Sequence, residues 1–229
     1  MDDDLHKPWH AKSAEDVLKK LQTSEEGLSD AEAEKRLQKD GCNVLCQKKQ
    51  KSILEMLKEQ LTDVMVIILI AAALLSMLLN EWTEAIVILV IVALDAAVSI
   101  IQEKKAANAL EALKSIGAPT ARVLREGEES LIPARELVAG DIVYLEDGSI
   151  VPADIRLLST NNLKIQEAAL TGESVPLEKE DDTSYAEDTP LGDRRNMAYS
   201  SSIVMYGNGT GVVVETGMRT QVGKIAGML

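Results

Sequence analysis

Two apolar runs, VMVIILIAAALLSMLL (64–79) and AIVILVIVALDAAVSII (85–101), are separated only by NEWTE (80–84). The first holds a single polar residue, Ser76, and the second holds Asp95 and Ser99. At 1.5 Å per residue each run makes a helix of roughly 25 Å, at the short limit for a bilayer core of about 30 Å. Neither offers a polar face to water, so both are expected to span a membrane rather than to be buried in a soluble domain. A five-residue linker forces a tight hairpin whose two ends emerge on one side. Lys48, Lys49, Lys51 and Lys58 precede the first run and Lys104 and Lys105 follow the second, whereas the linker carries Glu81 and Glu84 and no base. The excess of positive charge puts both ends in the cytoplasm. Trp82 falls where an interfacial aromatic is expected, and Asp95 lies mid-span. An ionisable group there is costly, which makes Asp95 a candidate for an ion path, an interhelical contact, or a carboxylate facing water.

The remaining residues divide around this hairpin. Over residues 1–60, Ser13 with Asp16 and Ser29 with Glu32 fit helix starts in which a hydroxyl and an acid three residues on satisfy free N–H groups. Helices are expected over about 14–22 and 30–39, with Gly41 as a stop, and SILEMLKEQLTD leads as an amphipathic stretch into the first run. The second helix should continue past the membrane and end near Gly117 and Pro119. Beyond it the period becomes strand-like: a hairpin around Glu126-Gly127, then short β segments punctuated by Gly-Asp, Asp-Gly and Pro-Ala-Asp turns. GNGTG (207–211) is expected to be a hairpin turn between two strands, not a dinucleotide loop, because no helix follows it. The acidic run EKEDDTSYAEDTPLGD is expected to be a mobile surface loop.

Composition excludes several classes. There are 24 basic against 37 acidic residues, a net charge of −13, which argues against a nucleic-acid partner. Phe is absent, so the core must be aliphatic. Cys42 and Cys46 lack the further ligands of a zinc site, since the two His lie at positions 6 and 10; two reduced thiols without a structural role are expected. The acidic N-terminus is not a cleavable secretion signal.

GDIV, VPADIR (151–156), LTGESVP (170–176) and TGMRTQVGKIA (216–226) occur in this order downstream of the hairpin. The series resembles the N-terminal third of P-type cation-transporting ATPases, and GLSDAEAEKRLQKDGCNVL resembles the N-terminal module of type II pumps. The runs around the spans and NMAYSSSIVMYGNGTGVVVETGM are most similar to bacterial relatives of the sarcoplasmic-reticulum-type calcium pumps. The resemblance implies an α+β membrane protein: a helical module over 1–60, spans at 61–80 and 84–116 with a cytoplasmic extension, and a mainly antiparallel β actuator domain over 117–229. It implies a bacterial plasma-membrane location with the N-terminus and actuator domain cytoplasmic, a transported cation (Ca²⁺, with H⁺, Na⁺ or Mn²⁺ as alternatives), and ATP and Mg²⁺ used by the full-length pump. The partners it implies are the lipid bilayer and the phosphorylation and nucleotide-binding domains of the same polypeptide.

The resemblance also gives roles. Glu173 orients the water that hydrolyses an aspartyl phosphate and accepts its proton, Gly172 lets the backbone approach, and Thr171 and Ser174 shape the loop. The actuator domain turns as a rigid body and pulls on the spans. Gln166 stands where the family usually has Asp, Ser149 replaces an acid and Ser201 a glycine; these changes are expected to loosen local turns. The phosphorylated aspartate's DKTGT motif is absent, so this stretch alone is expected neither to hydrolyse ATP nor to complete transport. A membrane-anchored regulatory or partner-binding β module is the competing reading.

Overall fold

Serine hydroxyls start the N-terminal helices in the computed structural model, which describes residues 8–45, 52–116 and 119–228. Ser13 Oγ accepts from Asp16 N at 3.2 Å to open α1 (Ala14–Leu21), and Ser29 Oγ accepts from Glu32 N at 3.3 Å to open α2 (Asp30–Asp40). In α2 the acid does not fold back on the cap, because Glu32 is taken by Arg36 Nε at 2.9 Å. Gly41 ends α2 at φ 80°. A complete reciprocal cap instead opens α3 (Ile53–Leu61), where Glu55 Oε2 accepts from Ser52 N at 2.9 Å. The His6, Cys46, Lys48, Lys49, Lys51 and Gly117 readings fall outside the described residues.

The chain forms two compact units, residues 47–117 and the remainder. The first holds α3, α4 (Val64–Leu78) and α5 (Trp82–Ile116). Helix α5 is long and apolar enough to cross a membrane over Trp82–Ala106, with mean hydropathy 2.6; α3 and α4 pass that test only together and are bent by 64°. Asp63 makes the break by capping α4, accepting from Met65 N at 2.8 Å. Small or short side chains (Val66, Ala73, Ala85, Val92 and Ala96) are buried where α4 and α5 pack, and the larger ones such as Ile68, Leu75, Ile86 and Leu94 face outward. Asp95 Oδ2 accepts from Gln60 Nε2 at 3.0 Å, so it contacts α3 near the bend rather than the middle of α4.

In the other unit the strand pairings among the described residues are antiparallel, beside one isolated parallel bridge between Leu28 and Arg125. They involve β1 (Thr120–Arg125), β2 (Glu128–Pro133), β3 (Ile142–Glu146), β4 (Asp154–Gln166), β5 (Leu177–Glu178), β6 (Met197–Ala198) and β7 (Ile203–Glu215), in the order β2-β1-β3-β7-β4-β5 with β6 also on β4. Glu126 and Gly127, both at positive φ, turn the β1–β2 hairpin as expected. GNGTG does not turn the chain: it runs inside β7, alongside β4. Its glycines serve close approach, since a Cβ at Gly209 would lie 2.7 Å from Ser159 O and one at Gly211 would lie 2.8 Å from Arg156 O.

Alternation along the strands buries both faces of the sheet. Val123, Val143, Ile155, Leu157, Ile165 and Val213 form an aliphatic core on one side. Ile142, Val212 and Val214 point the other way and pack with Trp9, Val17 and Tyr199. The N-terminal segment and α1 therefore cover the sheet. Arg125 on β1 pairs with fully buried Asp141, just before β3, through bonds of 2.9 and 2.8 Å, and lies 3.8 Å from Asp30 at the start of α2.

The same alternation puts Arg156 on the covered face, between Ile155 and Leu157, where it is 1% exposed. Its guanidinium donates to the carbonyls of Lys12, Leu157, Asp181 and Thr183. Burial pulls its pKa down to about 10, which leaves it charged at neutral pH. The acidic stretch expected to be mobile is thus fastened down: Asn196 Nδ2 also donates to Thr183 O at 2.6 Å, and Tyr185 N to His10 O at 3.1 Å. An Arg156→Leu variant strands these carbonyls and should lose about 3 kcal/mol of stability. Denaturant unfolding followed by buried Trp9, in a Trp82→Phe background, measures the loss.

Asp154 begins β4 and caps α7 (Gln221–Met228): its carboxylate accepts from Gln221 N at 2.8 Å and from Ser200 N at 3.0 Å. Burial nevertheless pushes its pKa from 3.8 up to about 6. Folding favours the protonated form, so this group costs nothing below 3.8, costs more as pH rises through about 6, and costs a constant amount above. Between about pH 4 and pH 7, Asp154→Asn should therefore gain about 2 kcal/mol relative to the native chain. Parallel Trp9-monitored unfolding at the two pH values checks the sign.

Candidate active site

Residues 167–176 connect two paired strands, since Lys164 faces Glu178 and Ile165 faces Leu177 across β4 and β5. Inside this connection α6 (Ala168–Thr171) is a single turn, with Leu170 N and Thr171 N donating to Glu167 O at 2.9 and 3.0 Å and Gly172 N to Ala168 O at 2.9 Å. Gly172 stops the turn at φ 77°, a left-handed conformation suited to glycine. Leu170 anchors the turn by packing against the cluster that contains Trp9, Tyr199 and Leu191.

The hydroxyl of Thr171 donates to Glu167 O at 3.1 Å and accepts from Glu173 N at 3.3 Å. Gln166 Nε2 donates to Ser174 O at 3.0 Å. Gln166 therefore braces the loop instead of loosening it, because an amide can donate to a carbonyl where a carboxylate cannot. Ser149 likewise closes its own turn, accepting from Glu146 N at 3.1 Å and donating to Glu146 O at 2.6 Å. Ser201 does occupy a strained position, at φ 69°, where a glycine would fit.

The structure brings Thr171, Gly172, Glu173 and Ser174 together with Glu173 exposed. Among the described residues its carboxylate has no hydrogen-bond or ion-pair partner. The Thr171 hydroxyl bonds the backbone at Glu167 and Glu173, Ser174 accepts from Gln166 through its backbone carbonyl, and Asp95 belongs to the other unit.

The sequence reading passed over the neck of this loop. Glu167 Oε1 and Lys179 Nζ meet at 2.7 Å with both side chains 1% exposed. Burial raises the pKa of Glu167 and lowers that of Lys179, each opposed by the charge of the other. Lys179 Nζ also lies 5.9 Å from the ring centroid of Tyr199. Opposite charges twelve residues apart, one on either side of a turn motif, were the available signal.

Among the described residues no group of three or more His, Cys, Asp or Glu is placed to hold a metal ion. The loop offers one exposed acid and no basic cradle, so it does not fit a Mg²⁺ or ATP site. An open depression of about 660 Å³ lined by Tyr144, Glu146, Asp147, Asn208 and Thr210 takes no lining residue from the loop. What the arrangement can do is present one uncommitted carboxylate, on a rigid support, to a group brought from outside.

Residues 115–229 match the P-type ATPase actuator domain, and residues 9–76 match the N-terminus of cation transporters and ATPases. Calcium-transporting ATPase 1 of Bacillus cereus is 45% identical over 228 residues, 96% of this chain and 26% of that protein. Calcium-transporting ATPase 1 of Lactococcus lactis subsp. lactis is 45% identical over 95% of the chain and 25% of its own length. The Sodium/potassium exporting P-type ATPase cta3 of Schizosaccharomyces pombe is 40% identical over 97% of the chain and 22% of its length. The chain thus spans about a quarter of the length of the curated relatives it matches. With half of its residues in the actuator match and an N-terminal match before them, the chain belongs to the P-type ATPase family.

Proposed function

We propose that this chain is the N-terminal portion of an ATP-driven cation pump, with Ca²⁺ the transported ion, and that Glu173 promotes hydrolysis of an aspartyl phosphate carried by another domain of the same polypeptide. The observation that carries the reading is the uncommitted Glu173 carboxylate on a loop whose neighbouring polar groups are tied back. In-line attack by water on a phosphoryl group needs an acceptor that orients the water and takes its proton. Glu173 is a suitable acceptor, because its side chain stands clear of the loop and Gly172 adds no side chain beside it. Thr171 and Gln166 hold the backbone on either side, so the carboxylate can dock as a preset group. ATP and Mg²⁺ are assigned to the nucleotide-binding and phosphorylation domains, and no step is drawn through a metal held by this chain.

In the same proposal residues 1–60 form an N-terminal module, 61–80 and 84–116 form a membrane hairpin with a cytoplasmic extension, and 117–229 form the actuator domain. The outward-facing apolar side chains of α4 and α5 suit lipid. Lys58, Lys104 and Lys105 against Glu81 and Glu84 suit cytoplasmic ends, in the plasma membrane of a bacterium. The fifteen residues of α4 make about 22 Å, too short to span alone. Helix α3, with Ile53, Leu57 and Leu61 exposed, lies in the headgroup layer and brings the chain into the bilayer. The names of the two bacterial relatives favour Ca²⁺, and that of the Schizosaccharomyces relative keeps another cation as the alternative.

Two assays on the complete pump test this reading. Phosphorylation from ATP, measured ion by ion, should depend on Ca²⁺. A Glu173→Gln variant should still be phosphorylated, but its phosphoenzyme should decay more slowly by about 10²–10⁴-fold. Decay at the native rate would remove Glu173 from the chemistry.

A further inference from the structure

The loop that displays Glu173 is held at its neck by a buried ion pair, although neither partner can touch anything outside the protein. Glu167 ends the approach from β4 and supplies the carbonyl that closes α6. Lys179 follows β5, and its own N–H donates to Leu163 O at 2.8 Å. The 2.7 Å bond between them therefore joins the two ends of the excursion that carries Thr171 to Ser174. Surface pairs contribute little, but this pair is sealed from solvent, and among the described residues Glu167 Oε2 has no hydrogen-bond partner. An apolar pair would fill such a site with less desolvation cost and no unsatisfied atoms. A buried charge pair does what an apolar pair cannot: it has one geometry, and so it fixes the register of the two strand ends.

We infer that Glu167 and Lys179 are a positioning pair for the catalytic loop, setting where Glu173 stands when the actuator domain docks. The inference rests on the role proposed above for Glu173 and adds two residues that never reach the phosphoryl group. The pair acts through the backbone: Lys179 holds the Glu167 side chain, the Glu167 carbonyl receives Leu170 N, Thr171 N and the Thr171 hydroxyl, and that hydroxyl receives Glu173 N.

Replacing one partner alone leaves a buried charge and can unfold the unit, so the informative variant is Glu167→Met with Lys179→Met, which removes both charges. In the full chain, amide hydrogen exchange at Leu170, Thr171 and Gly172 should accelerate by at least about tenfold while Ile155 and Val213 in the central strands keep their native rates. Unchanged exchange in the loop overturns the inference. Equal acceleration in the central strands also overturns it, because the pair is then a general stabiliser.

In the complete pump the double variant should slow phosphoenzyme decay by about tenfold, and should add nothing when Glu173→Gln is already present. Faster loop exchange with native decay overturns the positioning role. Additive slowing on the Glu173→Gln background overturns it too, since the pair would then act independently of Glu173. If Glu173→Gln alone decays at the native rate, the proposed role of Glu173 fails, and the exchange result separately decides whether the pair holds the loop.

Discussion

The pairing of β4 with β7 is the constraint on which the remainder of the β-rich unit depends. Both strands run thirteen residues and stay in contact from Asp154–Glu215 to Gln166–Ile203, through several register shifts. Gly209 and Gly211 permit the approach, because side chains there would strike the β4 backbone. Strand β7 then joins β4 to the β1–β3 half of the sheet, and β4 delivers the groups that organise everything else. Asp154 caps α7, Arg156 gathers carbonyls from the N-terminal segment and the acidic stretch, and the end at Gln166 launches the loop that carries Glu173.

That arrangement separates what must be rigid from what must be accessible. The loop is short, stopped by one left-handed glycine, pinned by Leu170 and tied at its neck by buried charges. The Glu173 carboxylate is the group left uncommitted. A reaction on a phosphoryl group supplied by another domain needs this division, since a carboxylate already held by hydrogen bonds would have to give them up on docking.

The local features were legible from residue order. Ser13, Ser29 and Gly41 mark helix ends through bonds made within a few residues, and Glu126-Gly127 marks a two-residue turn. The exposed acid of TGES was legible as a motif. What escaped depended on partners distant in sequence. GNGTG looked like a reversal because glycine serves turns and close packing alike, and only the presence of β4 decides between them. The acidic stretch looked mobile because its fasteners, Arg156 and Asn196, offer side chains to its backbone carbonyls, which leave no trace in composition. Glu167 and Lys179 become partners only through the fold, which buries them together.

The central claim is that Glu173 serves the water reaction and not phosphoryl transfer from ATP. Oxygen exchange between inorganic phosphate and isotopically labelled water, run by the complete pump without ATP, isolates that step by forming and hydrolysing the phosphoenzyme repeatedly. The account predicts that Glu173→Gln lowers this exchange by at least about a hundredfold while phosphorylation from ATP persists. Native exchange in the variant would contradict it.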